Sequence, residues 1–103
     1  MNDDAKKKIQ LYAEIFKAMG HPTRLSIILG LTRKQCNVNY IVEKLDISQS
    51  TVSQHLAILR RTRIVECTKK GLEVCYKVSD PVVLDIIERI LKDNNGDMIE
   101  YCC

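Results

Sequence analysis

Ser48-Gln49-Ser50-Thr51-Val52-Ser53-Gln54-His55-Leu56-Ala57-Ile58-Leu59-Arg60-Arg61 is the stretch that decides the fold. Val52, Leu56 and Leu59 recur at steps of four and three, the spacing of one buried face of a helix. Ser48, just ahead of them, is a good N-cap. The opposite face carries Gln49, Ser50, Ser53 and Gln54, continued by Ala57 and Arg61, and has no charge before Arg60 and Arg61. A helix face that is merely solvated more often carries Glu and Lys. A glutamine amide presents a donor and an acceptor to an adenine edge in the major groove. Hydroxyls, with the backbone N–H groups of a helix start, suit phosphate oxygens. Ser48, Gln49, Ser50, Thr51, Ser53 and Gln54 are therefore candidate DNA contacts. His55, between the two faces, suits either a phosphate contact or a structural hydrogen bond.

Downstream the periodicity changes. Residues 63–68 and 72–78 alternate and are rich in β-branched side chains, with Lys69-Lys70-Gly71 between them. That pattern predicts a β-hairpin with a basic tip. Arg60, Arg61, Arg63, Lys69, Lys70 and Lys77 gather here against only Glu66 and Glu73. Among them Arg60, Arg61, Lys69 and Lys70 are the candidate DNA-backbone contacts, which would supply sequence-independent, salt-sensitive affinity. Asp80-Pro81 caps and opens a last helix with Val83, Ile86, Ile87, Ile90 and Leu91 on its apolar face. Asn94-Asn95-Gly96 ends it, and a tail runs to Tyr101-Cys102-Cys103.

Upstream, Ile41, Val42, Leu45 and Ile47 predict a short helix and its exit, and residues 32–39 read as a polar connection. Pro22 opens a helix that Leu25, Ile27, Ile28 and Leu29 make apolar on most sides, so it belongs at the centre. Ile9, Tyr12, Phe16 and Met19 line one face of a first helix, with Asp3 and Asp4 at its positive end. Gly20-His21 closes it, and His21 reads as a turn or cap residue. Four helices, a hairpin and a final helix make a mainly α fold with a small β-hairpin, the winged helix-turn-helix plan. The expected organisation is one domain over 1–103: helices in 1–20 and 80–94 that pair in a dimer, a helix-turn-helix over 38–62, a wing over 63–79 and a cysteine-bearing tail over 95–103.

Composition sets outer limits. With 103 residues, 46% hydrophobic and 28% charged, the chain has one core. The net charge of +3 is too mild to argue from alone. No apolar run approaches the ~18 residues of a membrane span, and Met1-Asn2-Asp3-Asp4 does not resemble a signal peptide. A cytoplasmic protein with no membrane partner is expected. Five cysteines, an odd number, argue against a disulfide framework. There is no Gly-rich phosphate loop, no paired carboxylates in a plausible cleft and no nucleophile beside a histidine, so no enzymatic activity is expected.

Three segments resemble the ArsR/SmtB family of winged-helix repressors. Residues 16–25 look like the start of its second helix, residues 48–61 are similar to its recognition helix, and Gly71 to Tyr76 match its wing. The resemblance runs from about Leu11 to Asp80. It implies a dimer in which the first and last helices pack across a two-fold axis. It also implies repression through double-stranded operator DNA and release on sensing a metal, a metalloid, or a sulfur or redox signal. The apolar stripes on both terminal helices fit such a homodimer, since left exposed they would be a liability. Two recognition helices in a two-fold dimer lie roughly 34 Å apart on an inverted repeat.

The sensor departs from the family patterns. Metal sensors often carry Cys-x-Cys where this chain has Cys36-Asn37-Val38-Asn39. Others use Asp and His on the last helix, which here offers Asp85 and Glu88 and no histidine. Sulfur-responsive members place one cysteine in the second helix, which here has none. Cys102 and Cys103, with Cys36 as a third thiol, remain as the candidate inducer or metal site. They suit As(III) or another soft metal ion, or oxidation and sulfane-sulfur uptake. Cys67 and Cys75 read as plain strand residues. The alternative function is a winged-helix protein-interaction module without sequence-specific DNA readout.

Overall fold

The computed structural model describes residues 2–33 and 36–94. In chain order the elements are α1 (Asp3–Met19), α2 (Pro22–Arg33), β1 (Cys36–Asn37), α3 (Val38–Leu45), α4 (Gln49–Arg61), β2 (Val65–Lys70), β3 (Glu73–Val78) and α5 (Pro81–Asp93). Short polar side chains start most of the helices. Asn2 accepts from the Ala5 N–H, Asn37 from Tyr40, Ser48 from Thr51, and Asp80 from both Val82 and Val83. Each satisfies a backbone donor that the first helical turn leaves without a partner.

The core centres on α2, whose Ile27, Ile28, Leu29 and Leu31 are all buried. Val52, Leu56 and Leu59 of α4 and Val83 and Ile87 of α5 close on it, with Ile64 and Val65 from the base of the wing. Each such aliphatic side chain contributes about 1.5–3 kcal/mol through burial. On α1 the core-facing residues are Ile15, Ala18 and Met19. Of the stripe read from sequence only Met19 packs inward, while Ile9, Tyr12 and Phe16 are 55%, 42% and 52% exposed. The helix has two apolar faces, and a single core covers one of them.

The strands form one antiparallel sheet in the order β1-β3-β2. Cys67 lies opposite Tyr76 and Thr68 opposite Cys75, while β1 sets Cys36 against Tyr76 and Asn37 against Cys75 on the other edge of β3. The wing is therefore a three-stranded sheet rather than a hairpin alone, and the connection over 32–39 contains β1 and the start of α3. Two residues are too few to show alternation in sequence. The turn between β2 and β3 is Gly71-Leu72, with Gly71 at φ 63°, a conformation that glycine adopts without a Cβ penalty.

The exit from α4 is a Schellman motif. The Ile64 N–H donates to the Leu59 carbonyl at 2.9 Å and the Arg63 N–H to the Arg60 carbonyl at 3.0 Å. Arg63 holds the left-handed position at φ 63°, where glycine is usual. Leu59 and Ile64, both 0% exposed, make the apolar contact that accompanies such a cap. The Ile64 carbonyl then accepts from the Ser79 N–H at 2.9 Å. One residue thus ties together the end of α4, the base of the wing and the approach to α5.

Candidate nucleic-acid interface

α4 presents the two faces its sequence predicts. Val52, Leu56 and Leu59 are 0%, 1% and 0% exposed, and Gln49, Ser50, Ser53, Gln54, Ala57, Arg60 and Arg61 all face outward. Ser48 is exposed and committed to capping: its Oγ accepts from the Thr51 N–H at 3.2 Å and donates to the Thr51 Oγ1 at 2.8 Å. Thr51 is therefore half-buried in the cap, whereas the Gln49 and Gln54 amides make no hydrogen bond among the described residues. Gln49 shares a shallow cleft with Asn37 and Asn39 at the start of α3 and with Leu72 and Glu73 at the wing tip. The helix start and the wing tip border one surface.

The charge arrangement suits a polyanion. Among the described residues the ion pairs are Lys77–Glu66 at 3.2 Å and Arg89–Asp93 at 3.3 Å. Arg60, Arg61, Lys69 and Lys70 are exposed and carry no carboxylate partner there. Arg60 and Arg61 line an open cleft of 390 Å³ between α4 and Tyr76 of the wing, with Ser53 and Ala57 on its helix side.

His55 is half-buried and turned towards the start of α2. Its ring lies 4.6 Å from that of His21, centroid to centroid, and its Nδ1 is 3.4 Å from Arg24 Nη1. Arg24 is anchored by Nε donating to the Ala18 carbonyl at 2.7 Å. His21 caps α2, its Nδ1 accepting from the Thr23 N–H at 3.1 Å. Burial, then the charges on His21 and Arg24, push the His55 pKa below its ordinary value. The sequence reading misses this junction, because 34 residues separate its two histidines and only the fold brings them together.

Of the candidate sensor residues, Cys36 is 5% exposed and disulfide-bonded. Cys67 and Cys75 are free thiols. Cys102 and Cys103 lie outside them. No group of three metal-ligating side chains occurs among the described residues.

Comparison with known proteins fits this surface. A family model described as "Bacterial regulatory protein, arsR family" matches residues 21–66, which span α2 to the start of the wing. The transcriptional repressor PagR of Bacillus anthracis is 42% identical over 77 residues, covering 74% of this chain and 77% of PagR. Reduced HlyU from Vibrio cholerae superposes with a TM-score of 0.80 at 32% identity, over 88% of this chain and 96% of that one. The homodimeric winged helix-turn-helix domain of Mb0332 from Mycobacterium bovis superposes with a TM-score of 0.82 at 20% identity, covering 92% and 88%. That last likeness speaks to fold alone. With its winged helix-turn-helix, its outward uncharged helix face and a PagR-like sequence over most of its length, the chain belongs to the ArsR/SmtB family of DNA-binding transcriptional repressors, a family of regulators and not of enzymes.

Proposed function

We propose that the chain acts in the cytoplasm as a homodimeric repressor that reads an inverted repeat through α4 and leaves it when a thiol-sensed signal arrives. The observation that carries the DNA-reading part is the outer face of α4, where unengaged Gln49 and Gln54 amides stand beside exposed Ser50 and Ser53. Arg60, Arg61, Lys69 and Lys70 flank that face and engage the backbone phosphates. The dimer forms through α1 and α5. Ile9, Tyr12 and Phe16 stand exposed in the single chain, and a second copy removes that apolar surface from water.

Cys36 is the best supported member of the sensor. It sits in β1, which pairs with β3 of the wing, and directly precedes Asn37, the N-cap of α3. A change at this thiol is therefore transmitted to the wing and to the first helix of the helix-turn-helix. The disulfide at Cys36 supports the redox branch of the thiol chemistry, since disulfides in a reducing compartment are typically transient and sensing. In this scheme two thiols give up two electrons and two protons to a peroxide or sulfane-sulfur oxidant, and the dimer shifts to a geometry whose recognition helices no longer fit successive major grooves. Capture of As(III) or another soft ion by Cys36, Cys102 and Cys103 is the competing branch.

The test is titration of the reduced dimer onto its own promoter DNA, then challenge with a persulfide donor, with peroxide and with arsenite. Release by the first two, lost in Cys36→Ser and in C102S/C103S, supports the redox branch. Release by arsenite alone supports metalloid capture, and unaltered induction in all these variants refutes the thiol site.

A further inference from the structure

The chain has two histidines, and both meet where the recognition helix packs on the start of α2. Their hydrogen bonds constrain their protonation. His21 Nδ1 accepts the Thr23 N–H at 3.1 Å, so that nitrogen carries no proton. Arg24 has donors and no acceptor. Its 3.4 Å contact with His55 Nδ1 is attractive only if that nitrogen is unprotonated too. A proton on His55 Nδ1 cancels that contact. It also sets an imidazolium against a guanidinium, with a second imidazole 4.6 Å away. No carboxylate is ion-paired to His21, Arg24 or His55 among the described residues. The charged and titratable groups acting on His55 are His21, from the turn before α2, and Arg24, from α2 itself. Beyond Arg24, Glu14 and Lys17 of α1 and Arg61 of α4 line the adjoining open cavity.

We infer that His21 and Arg24 are positioning residues for the recognition helix, and that proton uptake at His55 loosens α4 from α2, so that operator affinity falls on acidification. This rests on the reading of α4 as the DNA-reading helix. Burial and the two neighbouring charges hold the His55 pKa below its ordinary value of 6.5. Well above that value His55 is neutral whether the junction is closed or open, and the junction contributes in full. As the pH falls through it, the open form takes up the proton first and that contribution is lost. The direction is diagnostic, because extra positive charge would by itself tighten binding to DNA.

The experiment uses the full chain under reducing conditions at fixed ionic strength. Fluorescence anisotropy with a duplex carrying the inverted repeat from its own promoter is compared at pH 8.0 and pH 5.5. Wild-type affinity is expected to fall by on the order of tenfold, the bound being about tenfold per pH unit for each coupled proton. H21N/H55Q, which keeps an acceptor at each position and cannot titrate there, is expected to hold or gain affinity between the same two pH values. Wild-type binding that is unchanged or tighter at pH 5.5 overturns the proposal, as does an equal loss in the variant. Thermal unfolding without DNA supplies an independent arm, in which acidification should lower the wild-type Tm more than that of the variant. If the wild type shows no preference for the duplex at pH 8.0, the DNA reading fails. The thermal arm then decides the junction, and an equal pH dependence in both proteins refutes it.

Discussion

Replacing Arg63 with glycine should stabilise the protein. Arg63 sits at φ 63°, where the Cβ of an L-residue costs about 1–2 kcal/mol. Glycine removes that cost but gives up about 0.5–1 kcal/mol through the greater freedom of the unfolded chain. The net gain is about 0.5–1 kcal/mol. For a domain of this size 1 kcal/mol moves Tm by roughly 4–8 °C, so Arg63→Gly should raise it by about 2–8 °C. The bonds that build the cap, Ile64 N–H to Leu59 O and Arg63 N–H to Arg60 O, are backbone bonds and survive the change. Urea unfolding should show a higher midpoint at an unchanged m value. Arg63→Ala removes the charge and keeps the Cβ, so it should show no such gain. A glycine variant no more stable than wild type would refute the assignment of strain to this residue. Because Ile64 also anchors Ser79, a geometry that shifted in the variant would displace the wing. Operator affinity changing by no more than the loss of one charge is therefore expected alongside the stability gain.

Three further outcomes follow from the same structure. Ser48→Ala removes the acceptor for the Thr51 N–H and should cost about 1 kcal/mol in chemical denaturation, with a range of about 0.5–2. I9E/F16E places two carboxylates on the exposed apolar face of α1. Sedimentation should find it monomeric, and an intact dimer would put the interface elsewhere. K69A/K70A should bind more weakly to specific and random DNA alike, with the slope of log K against log salt reduced by about 0.9 for each phosphate no longer neutralised; an unchanged slope would remove the wing tip from the interface.

The fold was legible in sequence wherever a local signal was strong. The Val52, Leu56 and Leu59 stripe, the Ser48 and Asp80 caps and the hydrophobic α2 all appear in the structure where the sequence puts them. What escaped was short or non-local. β1 has two residues and owes its existence to pairing with β3, so residues 32–39 gave no periodic signal. The Ile9, Tyr12 and Phe16 stripe was visible, but periodicity cannot say whether a stripe faces its own core or a second chain. Arg63 gave no warning of its left-handed backbone, since nothing but the geometry of the chain reversal demands it. The outward polar face of α4 was legible because an uncharged polar helix face is unusual in itself. The histidine junction was not, because it depends on how α4 lies across α2.

We propose that base edges are read by the outer face of α4. The most direct test is the ratio of affinities for the promoter inverted repeat and for a scrambled duplex, measured at one salt concentration for wild type and for Gln49→Ala combined with Gln54→Ala. Each bidentate amide contact provides about 1–3 kcal/mol of discrimination, so the account predicts that the double variant loses about tenfold or more of that ratio while its binding to the scrambled duplex persists. A ratio identical to wild type in the double variant would contradict it.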